Sequence, residues 1–135
     1  MTETADQPGD TGHSPPLRLT TVCLDCLDAH EMARFYGGLL GWEPGRTEPD
    51  WVILRDPRGG VGLSFQAESA YRPPIWPEEP EAQQKMMHLE VLVADLQSAV
   101  AHAVSCGGTV AAYQPRQDLR VVLDPAGHPL CLFLS

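Results

Sequence analysis

The chain has few basic residues and no long apolar run. Of its 135 residues, nine are Lys or Arg and eighteen are Asp or Glu, which gives a formal net charge of −9 at pH 7. Such an excess of negative charge disfavours nucleic acid and anionic membranes as partners. No stretch approaches the roughly 20 apolar residues of a transmembrane helix, and the N-terminus lacks the regions of a signal peptide. We therefore expect a cytoplasmic protein that binds a neutral or cationic small molecule.

Several reactive motifs are also absent. The sequence contains no glycine-rich phosphate loop and no convincing Ser/His/Asp or Cys/His set. In the cytoplasm its cysteines should be reduced. Cys23 and Cys26 form a C-x-x-C motif, but both lie in a predicted strand, where residues three apart point to opposite faces. The pair is therefore poorly placed to share a metal ion or a disulfide bond.

A faint internal repeat, with an offset of 67 to 68 residues, runs through the chain. Thr21 aligns with His88, Gly41 aligns with Gly108, and the turn at Asp56 aligns with the turn at Asp124. A repeated unit that cannot close its own core usually buries it against its copy. With 43% hydrophobic content, the chain is long enough for one such core. The repeat predicts two modules in a pseudo-twofold arrangement.

The composition changes along the chain and predicts its domain organisation. Residues 1–16 are polar and rich in Pro and Gly, which is typical of a disordered tail. The single folded domain is predicted over 17–135, with module one over about 17–70 and module two over about 85–135. Between them, residues 71–84 contain PPIWPEEPE, which is too rich in proline for a helix or a central strand. This segment is predicted to be a linker.

Each module predicts the order β-α-β-β-β, hence an α+β fold. Asp28 and Asp95 are suited to cap the two helices, which glycines at 41 and 107–108 end. The strands are predicted at 17–25, 43–46, 51–55 and 61–66 in module one, and at 109–113, 119–123 and 130–134 after the second helix. The two modules are expected to form a curved, cup-like sheet around a shared hollow, with the helices outside.

Motifs in both modules resemble those of the vicinal oxygen chelate superfamily. They are DAHEMARFYGGLLGW, MHLEVLVADL and DPAGHPLCL, which occur in the family's order across residues 17–135. This superfamily includes glyoxalase I, bleomycin-resistance proteins and extradiol dioxygenases, and the chain most resembles its small glyoxalase-like members of the actinobacterial type. The resemblance implies the cup-shaped fold and, because relatives commonly pair, a homodimer.

The same resemblance implies where a metal ion would bind. In metal-dependent members, ligands come from the first and last strand of each module, and here these positions fall on Thr21, Leu63, His88 and Cys131. Only His88 is a regular ligand, whereas a divalent ion needs about three or four good donors. We therefore expect no cofactor. An alternative metal site would use His88 and Glu90, which share a strand face, with Cys131 or Cys23.

Strand alternation predicts the lining of the hollow as a mixture of apolar, aromatic and polar side chains. Trp76, in the linker, is expected either over the mouth or as an anchor for the linker. The predicted ligand-binding residues are Thr21, Cys23, Leu63, Phe65, Trp76, His88, Glu90, Cys131 and Phe133.

Three functions are compatible with these residues. The first is binding of a small aromatic or cationic molecule without a complete metal site, as in antibiotic resistance by sequestration. The second is a metal-dependent lyase or dioxygenase that uses His88 and Glu90. The third is a role through protein interfaces alone. Nucleophilic catalysis by Cys131, with His88 as its base, is a further hypothesis, whereas His128 lies in a turn and is interpreted as structural.

Overall fold

The computed structural model describes residues 15–135, and the predicted order β-α-β-β-β occurs twice. Residues 1–14 of the predicted tail lie outside the described residues, and residues 15–20 contain no helix or strand. The elements are β1 (Thr21–Cys26), α1 (Ala29–Leu40), β2 (Pro44–Glu48), β3 (Trp51–Leu54), β4 (Gly62–Ala67), β5 (Leu89–Leu92), α2 (Leu96–Ser105), β6 (Thr109–Val110), β7 (Leu119–Leu123) and β8 (Pro129–Phe133).

The strands form two four-stranded sheets, with the orders β1-β4-β3-β2 and β5-β8-β7-β6. In each sheet the first and last strands of the module are parallel, and the other pairs are antiparallel. Among the described residues, β1 and β5 are therefore edge strands, and neither sheet closes into a barrel. The α+β class and the repeated module are confirmed. Within residues 15–135, no helix is long and apolar enough to cross a membrane.

The predicted helix ends are also confirmed. The Asp28 carboxylate accepts hydrogen bonds from the backbone N–H groups of His30 and Glu31, which would otherwise lack partners in the first turn. Gly41 ends α1 with φ of 73°, a left-handed conformation that glycine adopts without steric cost. In the second module, Asp95 caps α2 by accepting from the N–H of Ser98.

One apolar core joins the two modules. Phe35 and Tyr36 of α1 belong to the same buried cluster as Leu130 and Leu132 of β8. The side chains that reach this cluster alternate with side chains on the other face of each strand. Each sheet therefore has a core face, which packs against the helices, and an open face turned away from them.

The prediction that Leu63 and Phe65 point into the hollow is wrong. Both side chains lie in the core, where the Phe65 ring stacks on Tyr36 with a centroid separation of 5.5 Å. On β4 the face turned away from the helices instead carries Ser64, which is also buried and which pairs in register with Cys23. A shift of one residue exchanges the two faces of a strand, and that shift accounts for the error.

The shift originates in the turn before β4. The turns at Asp56 and Asp124 align with an offset of 68, but Gly62 of β4 corresponds in register to Pro129 of β8, an offset of 67. Module one therefore has one more residue in this turn. The register partner of Glu90 is Cys131, and the equivalent pair in module one is Cys23 and Ser64.

Candidate functional site

Six of the predicted site residues lie on the open faces of the two sheets. Thr21 and Cys23 lie on β1, on the side opposite Val22 and Leu24, which contact the core. In the second module the open face is formed by His88, which directly precedes β5, and by residues of β5 and β8 that alternate with core leucines and valines. These residues are Glu90, Cys131 and Phe133.

Three of these side chains gather around one cavity of about 300 Å³. Glu90, Cys131 and Phe133 line it together with apolar Leu119, which β7 places opposite Phe133 in register. At the rim, Arg116 donates two hydrogen bonds to Asp118, with distances of 2.8 and 2.9 Å, so these two charges neutralise each other. The Glu90 side chain is 66% exposed and offers its carboxylate to the cavity. We call this space the second-sheet cavity.

His88 lies beside this carboxylate. Its Nε2 lies 3.4 Å from Glu90 Oε2, so the prediction that the two side chains share a strand face is confirmed. Burial, and then the negative charge of Glu90, raises the pKa of the Cys131 thiol. A thiol with a raised pKa remains protonated at neutral pH and is a weak nucleophile. The direction of this shift disfavours the hypothesis that Cys131 attacks a substrate.

The positions that the resemblance assigns to metal ligands are, with the register corrected, Thr21, Ser64, His88 and Cys131. They supply two hydroxyls, one imidazole and one thiol whose ionisation is disfavoured. Divalent ions in proteins are held by carboxylates, imidazoles and thiolates, and a hydroxyl is a poor substitute. Across residues 15–135, no three His, Cys, Asp or Glu side chains form a group that could hold an ion. These residues do not fit a divalent metal.

A larger cavity, of about 490 Å³, lies beside β1. One wall is the strand itself, at residues 22–25, and the other wall is the chain that enters β5, at residues 83–87. Cys23 is the one predicted site residue that lines this cavity, whereas Glu90, Cys131 and Phe133 line the second-sheet cavity. We call the cavity beside β1 the edge cavity. Sequence reasoning missed its other wall residues because the linker that carries Tyr71 and Arg72 has no periodic pattern.

Trp76 lines neither of these cavities and anchors the linker instead. Its Nε1 donates a hydrogen bond of 3.1 Å to the carbonyl of Tyr113, after β6. Lys85 lies over the indole ring at 5.4 Å and forms a 2.9 Å ion pair with Glu78. Of the two interpretations drawn from the sequence, the linker anchor agrees with these contacts.

His128 holds the two modules and the linker together at the end of the edge cavity. Its Nε2 lies 2.7 Å from the carbonyl oxygen of Asp25 and therefore acts as a donor. Its ring also packs against Tyr71, whose hydroxyl donates to the carbonyl of Ala126 at 2.8 Å. The structural interpretation of this histidine agrees with these contacts. The sequence could not predict the contacts themselves, because they join residues that are far apart in the chain.

Comparisons with known proteins agree with this geometry. The family model described as a glyoxalase-like domain matches residues 21–133. No curated protein matches the sequence. Among solved structures, a glyoxalase/bleomycin resistance protein/dioxygenase family enzyme from Burkholderia phytofirmans PsJN has a TM-score of 0.65 at 17% identity, and the match covers 87% of this chain and 98% of that chain.

Two further structures share the fold. A glyoxalase-related enzyme from Fulvimarina pelagi has a TM-score of 0.63 at 20% identity, with 87% of this chain and 88% of that chain covered. TnmS3, an antibiotic binding protein from Streptomyces sp. CB03234, has a TM-score of 0.59 at 15% identity, with 91% and 99% covered. At these identities the likeness establishes the fold alone.

Proposed function

Because the chain belongs to the glyoxalase-like domain family of the vicinal oxygen chelate superfamily, we propose that it binds a small, cationic aromatic molecule on the open face of its second sheet. The observation that carries this proposal is the convergence of Glu90, Cys131 and Phe133 on one cavity of about 300 Å³. This volume lies at the lower end of the range of ligand pockets, which is about 300–1,000 Å³.

The chemistry of the cavity supports a cation. The Glu90 carboxylate supplies a negative charge, whereas the charges of Arg116 and Asp118 at the rim neutralise each other. Phe133 presents an aromatic surface on which a planar cation can stack. The formal net charge of −9 also attracts cations toward the protein before they bind. TnmS3 is an antibiotic binding protein of this fold, so cationic aromatic antibiotics are suitable ligands to test first.

Proflavine, a planar cation, is a suitable fluorescent probe, and the anionic dye fluorescein is its counterpart. We expect saturable binding of proflavine and none of fluorescein. Glu90→Gln should weaken proflavine binding about three- to tenfold, because it removes the charge that faces the ligand. Glu81→Gln is the matched control, because it changes the net charge by the same amount. Glu81 lies in the linker and does not line the cavity. Equal weakening by the two variants, or no saturable binding, would contradict the proposal.

A second candidate is a metal-dependent lyase or dioxygenase, and the 3.4 Å approach of His88 to Glu90 favours it. These two residues and Cys131 supply too few suitable donors, so we rank this function lower. Elemental analysis of the purified protein distinguishes the two functions. A stoichiometric transition metal that is lost, together with activity, in His88→Ala would reverse the ranking.

We further propose a homodimer in the cytoplasm. In the part of the chain that the structure describes, β5 pairs only with β8, so its other edge has no neighbouring strand there, and Leu92 of β5 is 60% exposed. A second copy could cover both features by pairing β5 with β5 about a twofold axis. Sedimentation equilibrium should give twice the chain mass. Leu92→Asp should shift the equilibrium to monomer, whereas Leu27→Asp, at another exposed leucine, should not.

A further inference from the structure

The edge cavity exposes the backbone of β1. Among residues 15–135 this strand pairs only with β4, and the carbonyls of Thr20 and Cys26 accept hydrogen bonds from the N–H groups of Gly62 and Glu68 on that side. In a strand, the backbone groups of successive residues point alternately to the two edges. The N–H and C=O of Cys23 therefore point away from β4, toward the cavity.

The contact of Asp25 confirms this direction. Asp25 is two residues beyond Cys23, and its carbonyl oxygen accepts from His128 Nε2 of the second module, at 2.7 Å. Nothing in residues 15–135 forms the equivalent hydrogen bonds with the N–H or C=O of Cys23. One donor and one acceptor of an extended strand are thus available at the wall of a cavity of about 490 Å³.

Four charged side chains line the cavity: Asp25, Glu68, Arg72 and Lys85. Lys85 is neutralised by Glu78, at 2.9 Å, and Glu68 accepts a hydrogen bond from Gln66. Asp25 and Arg72, which also line the cavity, form no ion pair with a residue in 15–135. The remaining lining is largely apolar and includes Pro74, Met86 and Met87.

We propose that the edge cavity binds a short zwitterionic peptide in an extended conformation along β1. A carbonyl of the peptide accepts from Cys23 N–H, and a peptide N–H donates to the Cys23 carbonyl, as when a strand is added to a sheet edge. Arg72 pairs with the terminal carboxylate and Asp25 with the terminal ammonium. At about 3.3 Å per residue, the wall at residues 22–25 matches roughly three residues of ligand. Met86 and Met87 contact the side chains of the peptide.

Trialanine is the probe, and the full-length protein labelled with ¹⁵N is the target. We expect saturable changes in the amide resonance of Cys23, with unchanged resonances for Glu90 and Cys131 in the second-sheet cavity. Methylation of the central amide nitrogen of trialanine removes the donor that the Cys23 carbonyl requires. This change should weaken binding at least about tenfold.

Charge recognition is tested by changing both partners. Arg72→Gln should weaken binding of trialanine about tenfold, but it should not affect trialanine amide, which lacks the carboxylate. Arg116→Gln, at the rim of the second-sheet cavity, is the matched control and should affect neither ligand. Because the two cavities have separate probes and variants, failure here leaves the result with proflavine unaffected.

Three results would overturn the proposal. The first is the absence of a saturable change at Cys23 up to about 10 mM trialanine, the range of very weak binding. The second is equal affinity for the N-methylated and unmethylated peptides. The third is a change at Cys23 that depends on protein concentration without peptide, which would assign the β1 edge to a second copy of the chain.

Discussion

Tyr36 of the first module donates a hydrogen bond of 2.7 Å to Asp124 Oδ2 of the second module. Both side chains are buried, with exposures of 1% and 4%. The other carboxylate oxygen of Asp124 accepts from the N–H groups of Ala126 and His128, so both oxygens have partners. This bond ties helix α1 to the turn before β8 and fixes the modules relative to each other.

Tyr36→Phe tests how much this bond contributes. The variant keeps the ring in the core and leaves a buried carboxylate oxygen without its donor. We expect the free energy of unfolding to fall by about 1–3 kcal/mol in urea denaturation. Tyr113→Phe removes a hydroxyl from an exposed ring. It should change the free energy of unfolding by less than about 0.5 kcal/mol. Equal effects of the two variants would show that the bond between the modules adds no stability.

Asp124 should make stability depend on pH. Burial raises the pKa of its carboxyl, although His128 and the hydrogen bonds it accepts act in the opposite direction. The unfolded carboxyl ionises near pH 4, so above this pH the folded state retains more protons than the unfolded state. The stabilisation present below about pH 4 is therefore lost as the pH rises through the folded-state pKa.

In the Asp124→Asn variant the side chain cannot ionise. The variant should therefore lack the contribution of this residue to the pH dependence of stability. The comparison is urea unfolding of both proteins at several pH values between about 4 and 7. We expect the stability of the parent protein, relative to the variant, to decline across the range. A relative stability that stays constant or rises with pH would contradict the assignment of a raised pKa to Asp124.

Phe65 and Phe133 should respond differently to truncation, because they lie on opposite faces of their sheets. Phe65 has 0% exposure, so Phe65→Ala should cost about 3–5 kcal/mol of stability. Phe133 lines the second-sheet cavity, so Phe133→Ala should cost less stability and should abolish proflavine binding. Urea denaturation and fluorescence titration measure the two effects. The reverse result would mean that Phe65, and not Phe133, faces the ligand.

The cysteines should differ in their reaction with iodoacetamide. Cys23 is exposed, whereas burial raises the pKa of Cys26 to about 12. Cys131 is intermediate in exposure and also has a raised pKa. At about pH 8, mass spectrometry should show modification first at Cys23, more slowly at Cys131 and last at Cys26. In denaturant the three rates should converge, because burial causes the difference. Early modification of Cys26 in the native state would contradict the core position of this side chain.

Much of the fold was predictable because the signals are local. Caps at Asp28 and Asp95 and the αL glycine at Gly41 satisfy backbone groups within a few residues of themselves, so they are readable from the chain. The strand at 119–123 was predicted with its observed bounds, whereas β6 ends at Val110 instead of 113. There, the Ala111 N–H still donates to the Val121 carbonyl, and the side chain of Gln114 then bonds to the backbone of both residues.

The candidate site was less predictable. In β5 and β8 the face was easier to assign, because Glu90 and Cys131 alternate with Leu89, Val91, Leu130 and Leu132, which contact the core. In β4, by contrast, residues 62–65 are all buried, so the pattern does not distinguish the faces and the assignment depended on the length of the preceding turn. The linker residues of the edge cavity gave no signal at all, because their positions depend on contacts such as Trp76 with Tyr113.

The amino-acid sequence by itself determined the two modules, their helix ends and the scarcity of metal-binding side chains, because these follow from residue chemistry and short-range spacing. Only the tertiary structure decided that Ser64 and not Leu63 shares a face with Cys23, and that Cys23 lines a different cavity from Glu90. The physical reason is that a strand side chain reverses its direction at every residue. A single additional residue in a turn therefore changes which side chains lie on the same face. This register is visible only in the pairing of strands that are distant in the sequence.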